Sequence, residues 1–187
     1  MKTANLAAAL GKLSEAARAA GFDQHAAAER VTFSRLRASF RERDVARQQL
    51  LVPEIVSVSA AEASLIDEAR DELLGLGMDA RVFGEGRVAV HGVPALVARA
   101  DPRTLLRDLT DELLRTGGRA FGERLDLVLA TMACHGSVRA GDALHRDECV
   151  ALLQALDAID FAGYCPHGRP IVTKLPFAEL EKRVGRR

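Results

Sequence analysis

The spacing of apolar residues predicts two helices at the start of the chain. Residues 4–20 carry leucines at helical spacing, and Gly21 follows them as a typical helix stop. No Val or Ile occurs before Val31, so this part of the sequence predicts no strand in the first thirty residues. A second helix is predicted over 23–43, because Asp23 is a favourable N-cap residue.

The second predicted helix carries two polar residues on its apolar stripe. Phe33, Leu36 and Phe40 mark that stripe, and the same spacing extended backwards reaches Glu29 and then His25. A carboxylate that faces a core is costly unless it is paired or bound to a metal. The pattern therefore predicts either a metal site or a hydrogen-bonded pair of these two residues at i, i+4.

The middle of the chain alternates between strand and helix signals. Ile55–Val58 reads as a strand, Ser59 with Glu62 begins a helix over 60–76, and Gly84-Glu85-Gly86 joins two short strands as a hairpin. The hairpin strands are predicted at Ala80–Phe83 and Arg87–His91. Together they predict a compact α/β unit over 53–92.

The remaining predicted elements complete an α/β (α+β) fold. They are a helix from Asp101 to Gly117, a helix over 122–135 that is apolar nearly all round and therefore buried, a helix over 146–158, a strand Ile171–Leu175 and a short helix over 176–184.

Composition narrows the class of protein. The 187 residues, 48% of them hydrophobic, suffice for one sizeable core or two small subdomains. No apolar run reaches the roughly 20 residues of a membrane span, and no signal peptide is recognisable, so we expect a soluble protein without a membrane partner. Three cysteines, an odd number, favour a reducing cytoplasm over a disulfide framework. The net charge of zero indicates that any nucleic-acid contact is local.

A basic stripe is one candidate for such a local contact. Arg30, Arg37 and Arg41 project from nearly the same side of the second predicted helix. The stripe is compatible with an ordinary solvated face and with a surface that contacts DNA phosphates.

Three separate stretches carry metal-binding side chains. They are Asp23-Gln24-His25-Ala26-Ala27-Ala28-Glu29-Arg30, Ala133-Cys134-His135-Gly136 and Cys165-Pro166-His167-Gly168-Arg169-Pro170. A carboxylate, imidazoles and thiolates suit zinc or a mixed-metal site, although no Cys-x-x-Cys pair specifies one. An alternative interpretation of Cys134 is a small apolar residue at the end of a buried helix. Cys149 is predicted to be a core residue.

Four motifs in this order resemble those of the C-terminal domain of the DNA mismatch-repair protein MutL. They are Asp-Gln-His-Ala-x-x-Glu-Arg, Gln-x-x-Leu-x-Pro, Ala-Cys-His-Gly-Ser-Val-Arg-Ala-Gly and Cys-Pro-His-Gly-Arg-Pro, and the likeness runs from about Phe22 to the end. The resemblance implies a homodimer with a two-part fold. Residues 1–50 and 100–187 would form the dimerisation and metal-site part, and residues 51–99 an inserted regulatory part.

The resemblance also implies a function. It predicts an endonuclease that nicks duplex DNA with Mn²⁺ or Mg²⁺, carries a regulatory Zn²⁺, works with MutS and a sliding clamp, and lies in the nucleoid-associated cytoplasm. The implied catalytic and metal-binding residues are Asp23, His25 and Glu29, and Cys134, Cys165 and His167 add further metal ligands. The implied clamp-binding residues are Gln48, Leu51 and Pro53.

Two positions depart from the family pattern. The family has a second acidic residue five positions after its first Glu, where this chain has Ser34. The family also enters the Asp-Gln-His-Ala motif from a strand hairpin, whereas residues 4–20 here predict a helix. The alternative function is therefore a non-catalytic dimerisation and clamp-binding module whose metal is structural or lost.

Overall fold

The computed structural model describes residues 19–117, 121–137, 143–159, 163–175, 179 and 181–182. The elements in chain order are β1 Ala19–Phe22, α1 Gln24–Glu42, β2 Arg47–Ser57, α2 Ala60–Glu68, α3 Arg70–Gly75, β3 Asp79–Val82, β4 Arg87–Pro94, a 3-10 turn Ala95–Val97, α4 Pro102–Arg115, α5 Phe121–Gly136, α6 Arg146–Asp157 and β5 Val172–Leu175. They confirm the predicted α/β (α+β) class. No helix in these residues is long and apolar enough to cross a bilayer.

The chain divides into two compact units. The first contains the residues up to Val31 together with those from Val138 onwards, and the second contains Thr32–Ser137. These borders differ from the predicted division into 1–50 with 100–187 and 51–99. The leucines of α4 and the buried residues of α5 share one core with the strands of the second unit, so these helices belong with the sheet. The dimerisation and regulatory roles of the predicted parts stay predictions.

The first unit contains a strand that the sequence did not predict. β1 pairs with β5 as an antiparallel ladder, from Ala19 opposite Leu175 to Phe22 opposite Val172. The prediction of helix through residue 20 and of no early strand is therefore wrong at these positions. Pairing with a distant strand supplies backbone hydrogen bonds that outweigh the weak strand preference of Ala and Gly. The rest of the predicted first helix, residues 4–18, lies outside the described residues.

Helix α1 begins where the sequence predicts. The Asp23 carboxylate accepts a hydrogen bond from the Ala26 backbone N–H at 3.0 Å, which satisfies an orphan donor of the first turn. Asp23 also donates its own backbone N–H to the Ile171 carbonyl at 2.9 Å. In the first unit, buried residues of α1 pack with residues from α6 and from the segment before β5: Ala26, Ala27, Val31, Leu156, Cys165 and Ile171.

The second unit is a three-stranded antiparallel sheet of order β2-β4-β3 with helices packed on it. The predicted hairpin is confirmed as β3–β4. The capping box of Ser59 and Glu62 is also confirmed, as is the Asp101 cap of α4. The predicted continuous helix over 60–76 is instead interrupted at Ala69, between α2 and α3.

Helix α5 is less buried than its composition predicts. Val128, Leu129 and Met132 are fully buried, but Leu127 is 38% exposed and Cys134 is exposed. The prediction of a helix buried all round is therefore wrong, because only one of its faces meets the core. Cys149 on α6 is exposed as well, so its assignment to the core is also wrong.

Gly136 at the end of α5 allows a close approach to the 3-10 turn. A Cβ added at this position would lie 2.5 Å from Val97 Cγ1 and 3.2 Å from Val97 Cα, whereas a Cβ at Gly122 in the same helix would meet nothing within 4 Å. We therefore expect Gly136→Ala to lower the unfolding free energy by about 1–3 kcal/mol through overpacking. Gly122→Ala, the matched control, is expected to be neutral or stabilising by up to about 1 kcal/mol. Urea denaturation of both variants tests this, and equal stabilities would contradict the packing explanation.

Candidate metal centre

Glu29 on α1 is the buried centre of a polar cluster in the first unit. Its side chain has no solvent exposure, and Arg169 Nη2 donates to both of its carboxylate oxygens at 2.9 Å. His25 Nε2 lies 3.1 Å from Oε1, and His167 Nδ1 lies 3.6 Å from Oε2. The prediction that Glu29 faces inwards is confirmed. The i, i+4 pairing with His25, which was the alternative to a metal site, is present as well.

A tight turn over 165–169 presents the other side chains of this cluster. The Gly168 N–H donates to the Cys165 carbonyl, and the Cys165 N–H donates to the Arg169 carbonyl, both at 2.9 Å. Gly168 has φ +82°, a backbone conformation that residues other than glycine rarely adopt. Cys165 and Arg169 thus face each other across a three-residue loop, and facing residues project to the same side of a hairpin. The turn therefore directs both side chains towards Glu29.

Three side chains offer a set of donor atoms. A carboxylate oxygen of Glu29, the Cys165 sulfur and a ring nitrogen of His167 lie within 4.8 Å of one another. Glu29 and Cys165 are buried, whereas His167 is 42% exposed. Oxygen, thiolate sulfur and imidazole nitrogen are the ligand types that zinc uses, so the donor set fits this ion. Folding thus brings together three predicted ligands that are far apart in the sequence.

Asp23 and Cys134 are predicted ligands outside this set of three. Asp23 serves as the helix cap described above and is not part of this donor set. Cys134 is an exposed residue of the second unit, at the end of α5. The metal roles of Asp23 and Cys134 stay predictions.

Comparison with known sequences identifies the family. The sequence profile described as the MutL C terminal dimerisation domain matches residues 21–144 of the 187. The chain belongs to this family. The resemblance inferred from the four motifs is thereby confirmed.

The relatives of this family member are named as DNA mismatch repair proteins. Over 166 residues the chain is 46% identical to the DNA mismatch repair protein MutL of Phenylobacterium zucineum and 45% identical to that of Caulobacter vibrioides strain NA1000. A third relative, the DNA mismatch repair protein MutL of Anaeromyxobacter sp. strain K, is 46% identical over 166 residues. Each alignment covers 88% of this chain and 26–27% of the relative, so the chain spans about a quarter of the length of these proteins.

The basic stripe of this MutL-family domain is only partly available to a ligand. Arg37 Nη2 lies 3.2 Å from Asp126 Oδ2, and its guanidinium sits 5.9 Å from the centre of the Phe33 ring. Arg30 is half-buried, and Arg41 is exposed. The DNA-contacting role of these arginines stays a prediction, with Arg41 the most accessible of the three.

The clamp-type motif lies within β2, not before the first strand as predicted. Gln48 pairs with Val93, and the register of the β2–β4 ladder shifts between Gln49 and Glu54. This irregularity leaves the intervening residues outside the regular ladder, with Leu51 104% and Val52 75% exposed. The predicted exposure of this motif is confirmed. Its physical cause is the irregular pairing, which takes these side chains out of the packed sheet surface.

Arg169, for which the sequence predicts no role, lies 2.9 Å from both carboxylate oxygens of Glu29. Burial works against its charge, but the neighbouring Cys165 and Glu29 side chains outweigh burial, and the pKa of Arg169 lies above its ordinary value. A signal was present in the sequence. Pro166 and Gly168 mark a short turn, and the residues that flank such a turn face each other.

Proposed function

We propose that this domain acts in DNA mismatch repair as a homodimerisation module whose metal centre supports nicking of duplex DNA. The observation that carries the proposal is the convergence of Glu29, Cys165 and His167 on one point of a MutL-family domain. Their oxygen, sulfur and nitrogen atoms match the ligands of zinc, and the buried carboxylate lies in the family's acidic motif.

The proposal assigns the residues to two metal ions, with Glu29 common to both. Glu29, Cys165 and His167 would hold Zn²⁺, with Cys134 as the predicted fourth ligand. Asp23, His25 and Glu29 are the proposed residues for Mn²⁺ or Mg²⁺, which when bound supplies Lewis acidity for water activation and charge for the scissile phosphate. His25 and Arg169 hold the Glu29 carboxylate in place, and exposed Arg41 is available to a DNA phosphate.

Nicking of supercoiled plasmid with Mn²⁺ tests the catalytic part. We expect nicks that increase when the sliding clamp is present and that disappear in Glu29→Gln. Glu85→Gln, at an exposed turn residue, is the matched control and is expected to nick like the wild type. Absence of nicking by the wild type with saturating Mn²⁺ and clamp would reject the nuclease.

A non-catalytic dimerisation and clamp-binding module is the second candidate function. Ser34, which stands where the family has its second acidic residue, favours it, because a hydroxyl is a weaker metal ligand than a carboxylate and carries no charge. Ser34→Glu separates the two candidates. A gain of Mn²⁺-dependent nicking in this variant alone would assign the wild type to the non-catalytic class.

Self-association follows from the family, whose description is that of a dimerisation domain. We expect light scattering at micromolar concentration to give twice the chain mass of 20.1 kDa. A monomeric mass over the same concentration range would contradict the homodimer.

Clamp binding is proposed for Gln48, Leu51 and Pro53 of β2, of which Leu51 and Pro53 lie in the irregular part of the strand. Because Leu51 is wholly exposed, replacing Gln48 and Leu51 with Ala should abolish binding to the sliding clamp without changing the unfolding free energy. Val52→Ala, at an exposed variable position of the motif, is the control and should still bind. Co-elution of the double variant with the clamp would end this assignment.

A further inference from the structure

Arg169 engages the same carboxylate that the proposed metal centre requires. Its Nη2 donates to both oxygens of Glu29 at 2.9 Å. The guanidinium therefore contacts the carboxylate of the donor set formed by Glu29, Cys165 and His167.

The lone pairs of Glu29 are limited. Each carboxylate oxygen offers about two acceptor positions. Oε1 has His25 at 3.1 Å and Arg169 at 2.9 Å, and Oε2 has Arg169 at 2.9 Å and His167 at 3.6 Å. A cation that binds either oxygen must therefore share it with Arg169 or displace the guanidinium.

Arg169 is also placed to leave this position. Its side chain is 47% exposed, whereas that of Glu29 is fully buried, so the guanidinium can rotate into water while the carboxylate stays. Rehydration of the guanidinium offsets part of the lost ion pair. Two like charges next to one carboxylate repel each other, which favours outward rotation when a second cation binds.

We propose that Arg169 is an exchangeable internal cation that occupies Glu29 and competes with the metal ion for it. Arg169 stabilises the cluster when no ion is bound and lowers the affinity for the ion. The inference rests on the proposed metal centre and adds a means by which the chain itself sets metal affinity.

Zinc titration of Arg169 variants tests the competition. Arg169→Ala is expected to bind Zn²⁺ roughly tenfold or more tightly than the wild type, because the competing cation is gone. Arg169→Lys keeps the positive charge but lacks the planar guanidinium with its several N–H donors, so it should give an intermediate zinc affinity. Arg146→Ala is the matched control, since it removes an exposed arginine on α6 of the same unit, and it should bind zinc like the wild type.

Thermal unfolding supplies a second readout that does not depend on catalysis. With chelator present, Arg169→Ala should have a lower Tm than the wild type, because buried Glu29 loses a charged partner at 2.9 Å. With saturating zinc this difference should shrink or reverse. A purely structural arginine would lower the Tm by the same amount in both conditions.

The outcomes separate the inference from the function on which it rests. If the wild type binds no zinc, the proposed metal centre fails and the competition fails with it. If the wild type binds zinc but both Arg169 variants bind it equally or more weakly, the metal centre stands and the competition is rejected. Circular dichroism of the variants shows whether each is folded. If Arg169→Ala is unfolded, Arg169→Lys still tests the competition.

Discussion

Cys165→Ser is expected to lose bound zinc and, with it, the stability that the ion confers. A ligand that binds only the folded state stabilises it by RT ln(1 + [L]/Kd), about 4 kcal/mol at a thousandfold excess of free ligand over Kd. Serine replaces a thiolate with a hydroxyl, a much poorer zinc ligand, at a position that is only 4% exposed.

Elemental analysis after zinc-supplemented growth, together with urea denaturation, measures both effects. Cys149→Ser is the matched control, because Cys149 is an exposed thiol in the same unit and outside the donor set. It should keep the zinc content and stability of the wild type. Wild-type protein that holds only a small fraction of one zinc per chain would contradict the site itself.

Glu29→Ala is expected to be destabilising even without any metal. The sequence alone suggests that removing an inward carboxylate relieves a burial penalty, but the structure shows this carboxylate paired with Arg169 and His25. Removing it leaves these groups without their common partner and opens a gap in a buried cluster. We expect a loss of about 1–3 kcal/mol, below the roughly 3–5 kcal/mol of fully buried pairs because Arg169 and His167 are partly exposed.

Urea denaturation in chelator isolates this effect from that of metal loss. Glu85→Ala, at an exposed turn residue, should unfold like the wild type. The Glu29 variant should also lose zinc affinity and nicking. An unchanged or raised unfolding free energy in chelator would show that the ion pair with Arg169 does not stabilise the fold.

Local patterns in the sequence were sufficient for much of the fold. The N-cap at Asp23, the capping box at Ser59 and the hairpin at Gly84–Gly86 were all predicted, because these signals act between residues a few positions apart. The inward position of Glu29 was also predicted, since helical periodicity fixes which side chains share a face.

The partners of those residues required the tertiary structure. Strand β1 exists because β5 pairs with it from the other end of the chain, and no local propensity of Ala19–Phe22 indicates this. The burial of α5 on one face only was likewise decided by what packs against it.

The same distinction applies to the candidate metal centre. The sequence by itself determined the chemistry that is available, through Glu29 in its helix and through Cys165 and His167 in their turn. Only the tertiary structure decided that these side chains meet, and that Arg169 shares the carboxylate with them. The physical reason is that a buried charge is stabilised by whichever opposite charge the fold brings within a few ångströms, and periodicity within one element cannot specify a partner on another.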